Sequence, residues 1–266
     1  MMDIFSYSFM QRSFIMGTII AIIAPTIGLF LVLRRASVIG DALSHVALAG
    51  AAFGMLMGIY PVYGAIIFSI AGALGIEKLR NEYSEYEELS LSIVLSAGIG
   101  LASILISFGN TSGIFAYLFG SLALVTEKDI LVVSILGAFI IISILTLYKG
   151  LFYVSFDEES AKLAGVPVKF INIYFAILVA LTIGISMRIV GVLLISSLMI
   201  LPVATSLIIS KSFKQALLYS NLFGILSVFV GLILSFYFDL APGGTIVLTA
   251  LSILLIVIFI NRKKTS

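Results

Sequence analysis

The chain has 266 residues, 61% of them apolar and only 11% charged, with a net charge of +2 and a mean hydropathy of +1.25. A soluble domain carries about 25% charged and about 45–50% apolar residues, so the composition excludes a soluble globular protein and gives an all-α polytopic membrane protein. There is no cysteine, which rules out disulfides, thiolate metal sites and iron–sulfur chemistry.

Apolar runs recur at 14–33, 42–60, 62–76, 89–108, 130–148, 170–187, 189–209, 216–238 and 245–260. A helical span takes about 20 residues, so eight or nine transmembrane helices are expected. The runs 62–76 and 245–260 are short enough to be tilted, extended by neighbours or re-entrant. The stretch 113–125 is too short to cross and is expected to dip back where protein covers it. Little polar sequence separates the runs, so residues 1–266 read as a single membrane domain. Asp3 and Arg12 ahead of the first run do not make a cleaved signal peptide.

With nine spans and the C-terminus inside, the cytoplasmic side collects Arg34, Arg35, Lys78, Arg80, Lys149, Lys162, Lys169, Lys211, Lys214, Arg262, Lys263 and Lys264. Only Arg12, Lys128 and Arg188 fall outside. Twelve against three fits the positive-inside rule and fixes the C-terminus as cytoplasmic; eight spans would move the N-terminus inside as well.

The one histidine lies in Gly40-Asp41-Ala42-Leu43-Ser44-His45. Asp41 and His45 are four residues apart, about one helical turn, which stacks a carboxylate and an imidazole on one face. Such a pair can share a divalent metal. Asp41 can also be read as the N-cap of the second helix. A histidine inside an apolar segment needs a partner or water, which leaves metal binding, a hydrogen-bonded structural pair and a proton relay open. Two ligands do not close a site; Asp129 and Asp239 are the other acidic residues near runs, and Asp239 is kept as an extra ligand or gate residue. Gly50, Gly54 and Gly58, each four apart, predict a stripe for close helix packing. Gly191, Ser196-Ser197 and Pro202 predict another close-packed, kinked helix.

Between the fifth and sixth runs, Asp157 is placed to cap a short helix, with Glu158 and Glu159 in its first turn. Gly165 is placed to stop it, and Pro167 follows. On the residues alone it is either a connector or a handle for a soluble partner. The acidic stretch Glu82, Glu85, Glu87, Glu88 reads as a solvated cytoplasmic turn. The sequence holds no glycine-rich phosphate loop, no His-Glu-x-x-His, no Gly-x-Ser-x-Gly and no arginine ladder, so neither ATP hydrolysis, intramembrane proteolysis nor voltage sensing is expected of it.

Leu31-Val32-Leu33-Arg34-Arg35 running into Gly40–His45 resembles the signature of the membrane permease subunit of bacterial zinc/manganese ABC importers. Phe156–Val166 is similar to that family's cytoplasmic coupling segment. Gly191-Val192-Leu193-Leu194 with Ile200–Thr205 resembles its late membrane motif, and Pro242–Leu248 its C-terminal one. The resemblance covers nearly the whole chain and implies a type II-like ABC importer permease in the bacterial cell (inner) membrane. It implies a second copy of the chain, a separate cytoplasmic ABC ATPase that binds the ATP, and an extracellular metal-binding protein. Asp41 and His45 are implied to line the metal path. Asp157, Glu158, Ala161, Leu163, Ala164 and Gly165 belong to the implied coupling helix near 157–165. The permease is then no enzyme and holds no cofactor of its own, its contacts being lipid and protein rather than nucleic acid. Ser44–Gly50 is more similar to the zinc-type members, so Zn2+ is the expected cargo, with Mn2+ or Fe2+ as the alternative. The rivals are a proton-coupled secondary carrier and a membrane scaffold.

Overall fold

The computed structural model describes residues 4–83, 87–108 and 113–265; Glu85 of the acidic stretch lies outside them. The first crossing is α1 (Ser8–Leu33), followed by α2 (Val38–Leu56), α3 (Pro61–Glu82) and α4 (Glu87–Phe108). After them come a short α5 (Ile114–Phe119), the long α6 (Glu127–Phe156) and a second short helix, α7 (Glu158–Leu163). The chain closes with α8 (Val168–Ser186), α9 (Ile195–Ile209), α10 (Phe213–Phe238) and α11 (Pro242–Thr265). Eight of these helices are long and apolar enough to cross a membrane; α9, at 15 residues, is not.

Contacts between distant residues define two ends. At one, Arg12 pairs with Glu127 at 2.8 Å, Tyr7 packs on Phe236, and Ser121 N–H bonds Arg188 O at 3.0 Å. At the other, Arg34 reaches Ser155 and Asn172, and Phe213 gathers Phe30, Tyr148 and Phe152. The second end carries the predicted cytoplasmic cations and is called the basic end below. Among the described residues the chain passes nine times between the two ends, α9 being the short pass.

The short crossing has a physical explanation. The expected span 189–209 is helical only from Ile195, and residues 187–194 cover the rest in irregular form. Irregular backbone at membrane depth must find its hydrogen bonds in protein. It finds them in α5: Val192 N–H bonds Tyr117 O at 2.9 Å, and Leu193 N–H bonds Leu118 O at 3.4 Å. The two strips come too close for side chains between them. A Cβ on Gly120 would stand 2.0 Å from Ile189 O, and one on Gly191 2.3 Å from Leu118 O. Both glycines also have positive φ, +80° and +84°, where L side chains are strained. The apolar stretch 113–125 thus lies against the broken crossing, and its Tyr117 and Leu118 carbonyls accept hydrogen bonds from it. Gly191 belongs to this irregular segment, so it is not part of the helix containing Pro202.

Helix α2 sits at the heart of the bundle, packed on α3 and α4. The expected small-residue stripe is present at two of its three positions. A Cβ on Gly50 would lie 2.2 Å from Gly64 O, and one on Gly54 3.0 Å from Pro61 Cα. Gly58 differs: it lies beyond the helix end, at φ +67° with open space around it, and serves the turn. From α4, Gly98 faces the His45–Val46 backbone at about the same distance, with 2.9 Å from a hypothetical Cβ to Val46 N. Close approach of this kind is how helices hold each other where lipid removes the hydrophobic drive.

Candidate metal site and coupling surface

The chain enters α2 through a tight reversal. Arg35 takes the left-handed conformation at φ +55°, Ala36 N–H returns to Leu31 O at 2.9 Å and Arg35 N–H to Val32 O at 3.0 Å. These bonds are the Schellman pattern that closes a helix C-terminus. They turn residues 34–41 back along the protein: Arg34, Ala36 and Ser37 are half-buried and Ile39 and Gly40 buried, while Arg35, Val38 and Asp41 stay exposed. The N-cap of α2 is Ser37, with no side-chain cap bond, so the capping reading of Asp41 is corrected. Asp41 lies within the first turn.

The hexad divides by face. Gly40 is buried against Ser196 of α9, and Ser44 bonds Gly40 O at 2.7 Å. Leu43 and Val46 pack toward Gly72 of α3. Asp41 and His45 point away from both contacts: Asp41 is exposed, His45 half-buried, and Leu48 and Ala52 continue the same stripe into burial. Their depth follows from α9. Gly28 of α1 abuts the Met199 backbone five residues before α1 ends, and Ser196 is one turn nearer the opposite end. Gly40 therefore sits on the order of 10 Å inside the basic end of α1 at 1.5 Å per residue. Asp41 and His45 lie well within the bundle.

Among the described residues no group of three or more His, Asp or Glu side chains converges to hold a metal. Asp239 is not brought to the pair. It is the C-cap of α10 at φ 51° and borders a cavity of about 420 Å3 with Phe9, Gly120 and Pro242 at the end opposite Arg34. It ends a helix, in a conformation aspartate tolerates. Asp129 is also engaged. It is 2% exposed, accepts from Thr126 N–H at 2.8 Å and Thr126 Oγ1 at 2.7 Å, accepts from the Tyr60 hydroxyl, and faces Arg188 Nε at 3.2 Å. That Arg188 nitrogen has no hydrogen bond of proper angle, so the attraction is coulombic, helped by the guanidinium lying over Tyr117 and Tyr60 at 4.7 and 5.4 Å. The carboxylate and the buried surroundings push the Tyr60 hydroxyl up to about 12, burial being the larger cause. This cluster joins the α2–α3 turn, the start of α6 and the end of α8. Sequence reading missed it, although two opposite charges on the sparsely charged side were a signal that they pair.

At the basic end α7 forms as expected. Asp157 caps it, accepting from Ser160 N–H at 3.0 Å and Ser160 Oγ at 2.5 Å; these bonds hold the exposed carboxyl below its usual value of 3.8. Gly165 ends the turn at φ +81°. Ala161 is buried toward the bundle, and Leu163 is 89% exposed. Leu163 thus stands bare on the outer side of this short, charged helix. Ala161 seats the helix and does not belong to its outer surface. Beside α7, a cavity of about 290 Å3 bordered by Arg34, Glu77, Arg80, Glu158 and Asn172 opens at this end.

The chain matches the model of the ABC 3 transport family over residues 6–261. A probable metal transport system membrane protein of Treponema pallidum is 37% identical, over 96% of this chain and 97% of that protein. The manganese transport system membrane protein MntC of Listeria monocytogenes is 32% identical, over 97% and 92%. Among solved structures, a chain of PsaBC from Streptococcus pneumoniae in complex with Fab superposes with a TM-score of 0.86 at 32% identity, covering 96% of this chain and 92% of that one. An inward-facing metal-chelate type ABC transporter shares the fold, with a TM-score of 0.73 at 18% identity over 97% and 87%.

Proposed function

The chain belongs to the ABC 3 transport family, and from that premise we propose that it is the permease of an ATP-driven importer of Mn2+. Two copies work with a separate cytoplasmic ATPase and an extracellular metal-binding protein, and the basic end faces the cytoplasm. Manganese takes the place of zinc as the proposed cargo because the named relative in Listeria is a manganese transport system membrane protein. A nitrogen-plus-oxygen donor pair by itself accepts either ion.

One observation carries the assignment of the site: Asp41 is exposed and His45 half-buried on one stripe of α2 that is otherwise buried. Charged and imidazole groups in such a place are expected to face a pathway rather than lipid. Deprotonated Asp41 and neutral His45 supply two donors to the ion, and the remainder come from the second copy, from water, or from both. The Asp129–Arg188–Tyr60 cluster closes the outer end, and the cavity beside α7 opens toward the ATPase side. Leu163 on α7, bare and apolar, is the residue proposed to enter the ATPase.

The test is uptake of radioactive Mn2+ into proteoliposomes holding the permease and its ATPase. The reading expects uptake that needs ATP, survives collapse of the proton gradient, and is competed more strongly by unlabelled Mn2+ than by Zn2+. Uptake that follows the proton gradient without ATP contradicts it, and stronger competition by zinc reverses the choice of metal.

A further inference from the structure

Arg34 is a cation of the basic end, yet it is folded into the protein. It is the C-cap of α1. Its Nε donates to Ser155 Oγ at 3.0 Å, its Nη1 donates to Asn172 Oδ1 at 3.0 Å, and its guanidinium lies over the Phe175 ring at 4.6 Å. Asn172 is itself buried and uses its other end to donate from Nδ2 to Glu158 Oε1 at 3.4 Å. Glu158 is the first residue of α7. A polar chain thus runs from α7 through Asn172 to the C-cap of α1. Ser155, two residues before the α7 cap, gives Arg34 a second hold on the same mount.

Around this chain the packing is open. Cavities of about 290 and 640 Å3, both bordered by Glu77, Glu158 and Asn172, leave room between α7 and α3. Besides the Ala161 seat, the directed hydrogen bonds through Asn172 connect α7 to the bundle. Arg34 is followed at once by the left-handed Arg35 and the Ala36–Leu31 bond, which set where α2 begins. Asp41 is within the first turn after that point. Burial lowers the Arg34 guanidinium to about 10, with the Glu158 carboxylate the largest opposing influence, so it stays charged and able to follow Glu158 at neutral pH.

We propose that Arg34 and Asn172 are positioning residues that carry displacement of α7 to the α1–α2 turn and thereby reset Asp41 during transport. The proposal rests on the reading of α7 as the ATPase dock and of Asp41 as a metal ligand.

The experiment measures Mn2+ uptake and ATP hydrolysis in the same proteoliposomes containing the permease and its ATPase. Asn172→Leu and Arg34→Met remove the chain. Asn172→Asp keeps an acceptor for Arg34, so the fold stays paired, but loses the donor to Glu158. The expected result is that the three variants hydrolyse ATP while the ions moved per ATP fall about tenfold, within the usual range for coupling between sites. If uptake and hydrolysis fall in parallel, or neither falls, in Asn172→Asp, the relay is overturned and the residues are structural. Wild-type uptake that ignores ATP or is unchanged by Asp41→Ala overturns the importer reading and the relay with it.

Discussion

Arg188→Leu isolates the ion pair at the outer end. Asp129 and Arg188 are 2% and 9% exposed and face each other at 3.2 Å. Removing one partner of a buried pair costs about 3–5 kcal/mol because the other charge is left uncompensated. Asp129 would still accept from Thr126 N–H, Thr126 Oγ1 and Tyr60, which places the loss near the low end, about 3 kcal/mol. The double variant Arg188→Leu with Asp129→Asn removes both charges and keeps the Thr126 N–H bond, so about 1 kcal/mol of loss is expected. The double variant is then expected to lose about 2 kcal/mol less than Arg188→Leu alone, where independent sites would make it lose more. Equilibrium unfolding in mixed detergent micelles, with all four members of the cycle, reads these values. A single variant no worse than the double would refute the view that Asp129 depends on Arg188.

Three further outcomes follow from the geometry. Gly191→Ala should destabilise by about 2–4 kcal/mol in the same assay, from a left-handed backbone and a Cβ 2.3 Å from Leu118 O. Leu163→Asp, at an 89% exposed position, should leave unfolding within about 0.5 kcal/mol of wild type while reducing recovery of the ATPase on co-purification; full recovery would remove Leu163 from the docking surface. Asp157 has a depressed folded value, so its contribution to α7 is present above the ordinary 3.8 and is lost as pH falls through the folded value. Amide exchange over 158–163 should accelerate on acidification in wild type, and in Asp157→Ala should already be fast at neutral pH.

Local signals in the sequence located most elements. The α7 boundaries are legible because a cap, acidic first turn and glycine stop are all short-range chemistry, and the structure shows each at Asp157, Glu158 and Gly165. The Gly50 and Gly54 contacts were legible for the same reason: spacing of four on a helix is a face. The run 189–209 was not, because hydropathy measures transfer to lipid and is blind to whether a backbone is helical or paired with a neighbour. Asp41 reads as a cap only while residues 34–40 are taken as a surface loop; the Ala36–Leu31 bond moves the helix start to Val38. Asp239 sits near an apolar run in sequence, but its end of α10 is the wrong one. Arg34 counted correctly as a basic-end cation, and its place in a buried hydrogen-bond chain depends on Ser155 and Asn172, more than a hundred residues away.

The central claim is that Asp41 and His45 hold the transported ion. Asp41→Ala and His45→Ala, each purified with the ATPase and reconstituted, should assemble normally and still hydrolyse ATP, while ATP-driven Mn2+ uptake falls to the level of vesicles lacking ATP. Uptake at the wild-type rate in both assembled variants would contradict the claim.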